Sequence, residues 1–123
     1  KRQQTSRVYD NLEDAQEALQ QGIIVVHIDL SKEKLREVPK GLLDFPGLTS
    51  LNLDKNKLNK LPEWLSSMQN LEELTASKNN FETFPKVVLE LEKLRTLKLG
   101  NNMIDAIPLD IDRLQNLESL WLW

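Results

Sequence analysis

One spacing constrains this chain more than any other. Leucines stand at 48, 51, 53, 58 and 61, with Asn56 between the third and fourth and Pro62 after the last. The spacing returns 23 residues on at Leu71, Leu74, Ala76, Asn79, Phe81, Phe84 and Pro85. It returns again at Leu94, Leu97, Leu99, Asn102, Ile104, Ile107 and Pro108. A degenerate copy precedes these at Val25, Ile28, Leu30, Leu35, Val38 and Pro39, with Glu33 where the later copies have Asn. A final copy holds Leu117, Leu120 and Leu122. Like units at a period of about 20 to 29 residues stack in one direction, because each alone buries too little to fold.

The pattern within a unit predicts its course. Apolar residues two apart, as in Leu51 and Leu53, fit a strand with one face inward. A second set, Leu42, Leu65, Val88 and Ile111, with Phe45, Met68, Leu91 and Leu114, has helical spacing and predicts a short helix or 3₁₀ segment. Pro62 suits the first turn of such a segment, where its missing N–H is harmless. Each coil then runs strand, Asn turn, extended return, short helix.

The N-terminal part differs. Residues 1–7 are polar and aperiodic, which predicts a disordered tail. Asp10, with Glu13 three residues on, reads as an N-cap. Asn11 to Gln20 reads as a short helix whose apolar side is Leu12, Ala15 and Leu19, and Gly22 suits its stop. A stack exposes its core at both ends, so residues 8–24 are expected to form an N-terminal capping helix segment. Residues 25–123 then hold about four and a half units.

These spacings resemble the leucine-rich repeat superfamily, L-x-x-L-x-L-x-x-N-x-L, and within it the 23-residue "Leu-Pro" type of bacterial proteins and intracellular signalling scaffolds. The resemblance covers roughly residues 25–123. It implies an α/β solenoid: a right-handed superhelix, bent into a horseshoe arc, with a parallel sheet on the concave side and a capping helix at the N-terminus. It also implies recognition of a protein partner on that concave face, without catalysis. The alternative is a substrate-recruiting segment of a larger enzyme, such as a ubiquitin-ligase-like bacterial effector or a receptor kinase.

Strand alternation then gives the partner-facing side chains. The columns are His27, Ser50, Glu73, Thr96 and Ser119; then Asp29, Asn52, Thr75, Lys98 and Trp121; then Ser31, Asp54, Ser77, Gly100 and Trp123. The expected contact set is His27, Asp29, Ser50, Asn52, Asp54, Glu73, Thr75, Ser77, Thr96, Lys98, Trp121 and Trp123. The two tryptophans are the anchors, unless further repeats or a cap cover them. Lys32, Lys55 and Lys78 run beside the columns, either as a lure for an acidic partner or as a solvated stripe balanced by Asp29, Asp54 and Glu73. Trp64 and Val87 are repeat-equivalent and are expected to be neighbours on the convex side. Self-association through the open C-terminal repeat is a third reading.

Composition narrows the rest. The chain has 123 residues, with 16 basic and 19 acidic side chains and a net charge of −3. Three of the basic residues lie in the first seven positions. This balance argues against nucleic acid and against an anionic membrane surface. No apolar run is long enough to insert into a bilayer. There is no cysteine and only one histidine, His27, which removes His/Cys zinc sites and Cys nucleophiles from this chain. A triad could use only His27 with Asp29 and Ser31 or Ser50, on an open surface without an oxyanion device. Asp54-x-Asn56 opens like a calcium loop, but Leu58 stands at the next ligand position. Glu72-Glu73 and Asp110-x-Asp112 lack an apolar cleft. No cofactor and no metal are expected. The lack of cysteine fits the cytoplasm or, if a signal peptide was removed ahead of Lys1, a bacterial extracytoplasmic or secreted location.

Overall fold

The protein is described by a computed structural model over residues 3–123, with side chains from Ser6 onward. Among the described residues six strands form one parallel sheet in chain order. They are β1 (Gln3–Tyr9), β2 (Ile23–Asp29), β3 (Ser50–Asn52), β4 (Glu73–Thr75), β5 (Thr96–Lys98) and β6 (Ser119–Trp121), with helix α1 (Leu12–Gln20) between the first two. Strands β2 to β5 are each followed by a return through a 3₁₀ segment: Lys40–Asp44 after β2, then Glu63–Ser67, Lys86–Glu90 and Ile111–Arg113. The sheet is open and the chain is a leucine-rich repeat solenoid.

The repeated apolar positions form the core. Leu48, Leu53, Leu58, Leu65, Leu71, Leu74, Phe81, Leu94 and Leu97 are fully buried. Parallel pairing sets the register: Ser50, Leu51 and Asn52 lie beside Glu73, Leu74 and Thr75, which lie beside Thr96, Leu97 and Lys98. Prolines 39, 62 and 85 sit one residue before the first 3₁₀ turn, at the cap, rather than within that turn. Their φ values of −69, −70 and −75° keep the return strand extended. Their carbonyls accept from Leu42, Leu65 and Val88 and so close each 3₁₀ turn.

An asparagine, buried at 56 and 79 and half-buried at 102, joins each coil to the one before it. Asn79 Nδ2 donates to the carbonyls of Leu53 and Ala76, at 3.0 Å each, and its Oδ1 accepts from the Leu58 N–H at 3.0 Å. Asn56 does the same for Leu30 and Leu53, accepting from Glu33 and Leu35. Asn102 serves Ala76 and Leu99, accepting from Asn79 and Phe81. The direction of reach explains Glu33. Each Asn satisfies the preceding coil, and Asn56 already satisfies the first one. The residue before each Asn turns through positive φ: Lys55 at 59°, Lys78 at 58° and Asn101 at 57°, with Lys32 at 60°. The first coil adds a second such residue, Lys34 at 58°, where its sequence departs from the repeat.

Two expectations for the N-terminal part are corrected. Residues 3–7 are not a disordered tail: they belong to β1, which pairs parallel with β2. Residues 1 and 2 lie outside the described residues. Tyr9 pairs with Ile28 and is only 2% exposed, so it fills the position that Leu51 and Leu74 fill in later coils. The polar run hid this strand, because an edge strand needs few apolar side chains. The helix cap is also one residue later than expected. Asn11, not Asp10, is the N-cap, and its Oδ1 accepts from the Asp14 N–H at 2.8 Å. Gln21 then ends α1, and Gly22 takes the left-handed turn at φ 83°. The helix buries Ala15 and Ala18 over the first coil. Gly41 admits it: a Cβ there would lie 3.0 Å from Leu12 Cδ1. The N-terminal lid is therefore a strand and a helix together.

At the other end the inward pattern weakens. Ile107 was expected to point inward and is 43% exposed, with Met103 and Leu109 exposed beside it.

Replacing Asn79 by Leu tests the ladder. The Leu58 N–H would lose its side-chain acceptor in the interior, and the Leu53 and Ala76 carbonyls would each lose one of two side-chain donors, the other coming from Asn56 and Asn102. The expected loss of stability is about 2 to 4 kcal/mol, read from urea unfolding. A loss below about 0.5 kcal/mol would show that the ladder is dispensable.

Candidate concave recognition surface

The pleat aims the expected side chains outward in straight rows. His27, Ser50, Glu73, Thr96 and Ser119 are neighbours across β2 to β6, and so are Asp29, Asn52, Thr75, Lys98 and Trp121. The third row continues past the strand ends, where the N–H groups of Lys32, Lys55 and Lys78 reach the carbonyls of Asp54, Ser77 and Gly100. β1 adds a strand that the sequence reading left out, with Val8 opposite His27 and 56% exposed.

The rows divide into two chemical halves. In the N-terminal half several side chains serve the strand exits. Asp29 Oδ1 accepts from the Ser31 N–H at 2.9 Å, and Asn52 Oδ1 from the Asp54 N–H at 2.9 Å. Asn52 also accepts from Thr75 Oγ1 at 3.1 Å, and Asp54 Oδ1 accepts from the Ser77 N–H at 2.7 Å. Short polar side chains are favoured here because they can return to nearby backbone. Ser50 Oγ reaches Glu73 more weakly, at 3.4 Å.

In the C-terminal half the side chains are larger and face solvent. Lys98 Nζ stands 5.9 Å from the centre of the Trp121 ring, within cation–π range. Trp121 Nε1 donates to Ser119 Oγ at 2.8 Å, which holds the indole over the sheet. Trp121 is 58% exposed and Trp123 is 86% exposed. Gly100 makes a notch beside them: a Cβ there would lie 2.6 Å from the Trp123 carbonyl oxygen, so only glycine lets the last segment lie this close.

The sequence reading missed one further column. Val26, Thr49, Glu72, Arg95 and Glu118 lead into the strands, with each N–H from Thr49 onward donated to the carbonyl of the member before it. The Arg95 guanidinium forks onto Glu118 at 3.0 and 3.2 Å and stands 3.8 Å from Glu72. The hydrogen bond and charge of Glu118, with the charge of Glu72 behind them, hold the guanidinium pKa above its ordinary value. The signal was present as three charges at the repeat period. Together with His27, Ser50 and Glu73, the Thr49, Glu72, Arg95 and Glu118 members of this column line a shallow depression of about 480 Å³. Among the described residues no group of three or more Asp, Glu or His could hold a metal ion, and no helix is long and apolar enough to cross a membrane.

Exposed ion pairs contribute little to stability. Arg95→Gln is therefore expected to leave the thermal unfolding midpoint unchanged at moderate salt while making this column more acidic. A clear drop in midpoint would show that the column is structural rather than presented.

Comparison with known proteins agrees with this geometry. A family model described as leucine rich repeat matches residues 25–81. No curated protein sequence matches the chain. Among solved structures the chain is similar to a leucine-rich repeat protein from Leptospira interrogans, at TM-score 0.72 and 30% identity over 96% of this chain and 35% of that one. It also shares the fold of an internalin from Listeria monocytogenes, at TM-score 0.68 and 24% identity over 80% of this chain and 28% of that one. The chain thus spans about a third of the length of these structures. It is a leucine-rich repeat protein that resembles bacterial members of that superfamily.

Proposed function

We infer that the chain is a non-catalytic module that binds a protein partner on its concave face, with the main contacts at the β5 and β6 end. Leucine-rich repeats typically serve as protein–protein interaction modules, and the exposed Trp121 and Trp123 beside Lys98 carry the narrower reading. Trp is enriched among the few residues that dominate interface energy. Asp29, Asn52 and Asp54 are engaged with backbone and so supply shape more than affinity. The segment-of-an-enzyme reading would use the same face. It is distinguished by whether a catalytic domain shares the reading frame.

The test is a purified partner, first captured on the immobilised chain and then titrated. Trp121→Ala with Lys98→Glu is expected to weaken binding by about 30-fold or more, as loss of a hot spot does. Unchanged affinity would remove the concave-face assignment.

One observation favours a second reading, self-association. Met103, Ile107 and Leu109 are exposed on the last coil, with Leu109 entirely so. Such an apolar end gains by being covered. Sedimentation at several concentrations is expected to show a dimer that dissociates on dilution. A concentration-independent monomer would remove this reading.

A further inference from the structure

The charges of this chain are sorted by the fold in a way that its net charge conceals. Three repeat-equivalent segments, 31–40, 54–63 and 77–86, carry the chain from the sheet to the next 3₁₀ turn. They hold nine basic residues against five acidic ones. The remainder of residues 8–123 holds four basic against fourteen acidic. The nine cations are all exposed, and among the described residues none lies in an ion pair. Asp29 and Asp54, the expected counter-charges of the Lys32, Lys55 and Lys78 file, are turned to backbone N–H groups instead. The fourth equivalent segment, 100–109, has no basic residue, so the flank is basic only on the first three coils.

The same flank has a groove. It measures about 570 Å³ and runs between the first two coils, past Pro39, Pro62 and the half-buried Trp64. Arg36, Lys40 and Lys60 line it with two carboxylates, Glu37 and Glu63, so its cations are in a narrow majority. A second hollow, about 440 Å³, continues from Lys60 to Val87 and Lys86. Trp64 and Val87, repeat-equivalent and expected as neighbours on the convex side, differ in exposure. Val87 is buried, while Trp64 walls an open groove.

We propose that this flank is a second recognition surface, separate from the concave face, for an acidic, extended polypeptide segment that sets an apolar side chain against Trp64. Charge complementarity selects the occupant: an unpaired cation field on an otherwise acidic molecule attracts an anionic chain. The apolar wall beside Trp64 and the two prolines selects a polypeptide over a uniform polyanion, since a polyphosphate has no side chain to bury there. The rim cations are exposed and unpaired, so the attraction is screened by salt.

The test uses a fluorescein-labelled peptide of eight glutamates interrupted by one central Phe, at about 50 mM salt. The variant Arg36→Glu/Lys40→Glu/Lys60→Glu changes only exposed side chains. It is expected to weaken binding roughly tenfold or more. Wild-type binding is expected to fall with added salt, and the same peptide with serine for glutamate is expected not to bind. In a Trp121→Phe/Trp123→Phe background, where Trp64 is the sole tryptophan, the peptide is expected to change its emission. Trp121→Ala with Lys98→Glu is expected to leave this binding intact, which separates the surface from the concave one. Equal affinity of the triple variant, absence of binding by the wild type, or an all-phosphate polymer binding more tightly than the peptide would each overturn the proposal.

Discussion

The fold depends on one interaction repeated three times: an asparagine amide, buried at Asn56 and Asn79 and half-buried at Asn102, that bridges two consecutive coils. A strand of three residues leaves its exit carbonyls and the next N–H groups without sheet partners. Water cannot reach them, and an unpaired buried polar group is costly. The Asn56, Asn79 and Asn102 side chains each supply donors and an acceptor at those points, and no buried side-chain polar atom is left unpaired among the described residues. The amide is short enough to fit inside the turn and carries both functions at once. Leucines drive the coils together without regard to alignment. The amides require one register, and with it straight rows of outward side chains.

The ends of the stack follow from the direction of that bridge. Because each Asn reaches back to the preceding coil, the first coil needs no Asn of its own, and Glu33 is tolerated. What the first coil needs is a cover for its apolar face and its sheet edge. β1 and α1 meet both needs, with Tyr9 continuing the leucine column and Ala15 and Ala18 closing over the side. On the coil that follows β5 the inward pattern is weaker, and Met103, Ile107 and Leu109 are exposed there.

The two surfaces of the solenoid do different chemistry for a geometrical reason. On the concave side the pleat projects every second residue into a shared plane, so side chains 23 residues apart become neighbours. Acid and base can then pair across coils, as Arg95 does with Glu118 and Glu72. On the flank the chain leaves the sheet with a left-handed residue at Lys32, Lys55 and Lys78. That turn carries the following cations away from the acidic residues of the sheet, so they remain unpaired. A neutral-to-acidic net charge is thus compatible with a basic side.

Much of this was legible in the residues. The leucine columns, the asparagine ladder, the 3₁₀ returns and the register of His27, Ser50, Glu73, Thr96 and Ser119 all follow from a 23-residue period, because stacking copies of one coil superimposes equivalent positions. The Glu72, Arg95 and Glu118 file lay in that period as well, but one step outside the alternation counted as strand. Three things were decided only in three dimensions. β1 became a strand because the edge of β2 supplied its hydrogen bonds, which no pattern in Gln3 to Arg7 reveals. Asp29, Asn52 and Asp54 were drawn to backbone donors because the turn brought those donors within reach. The basic flank emerged because the fold separates, in space, charges that alternate along the chain. The period by itself determined which residues are equivalent; the closure of each coil decided which of them are free to meet a partner.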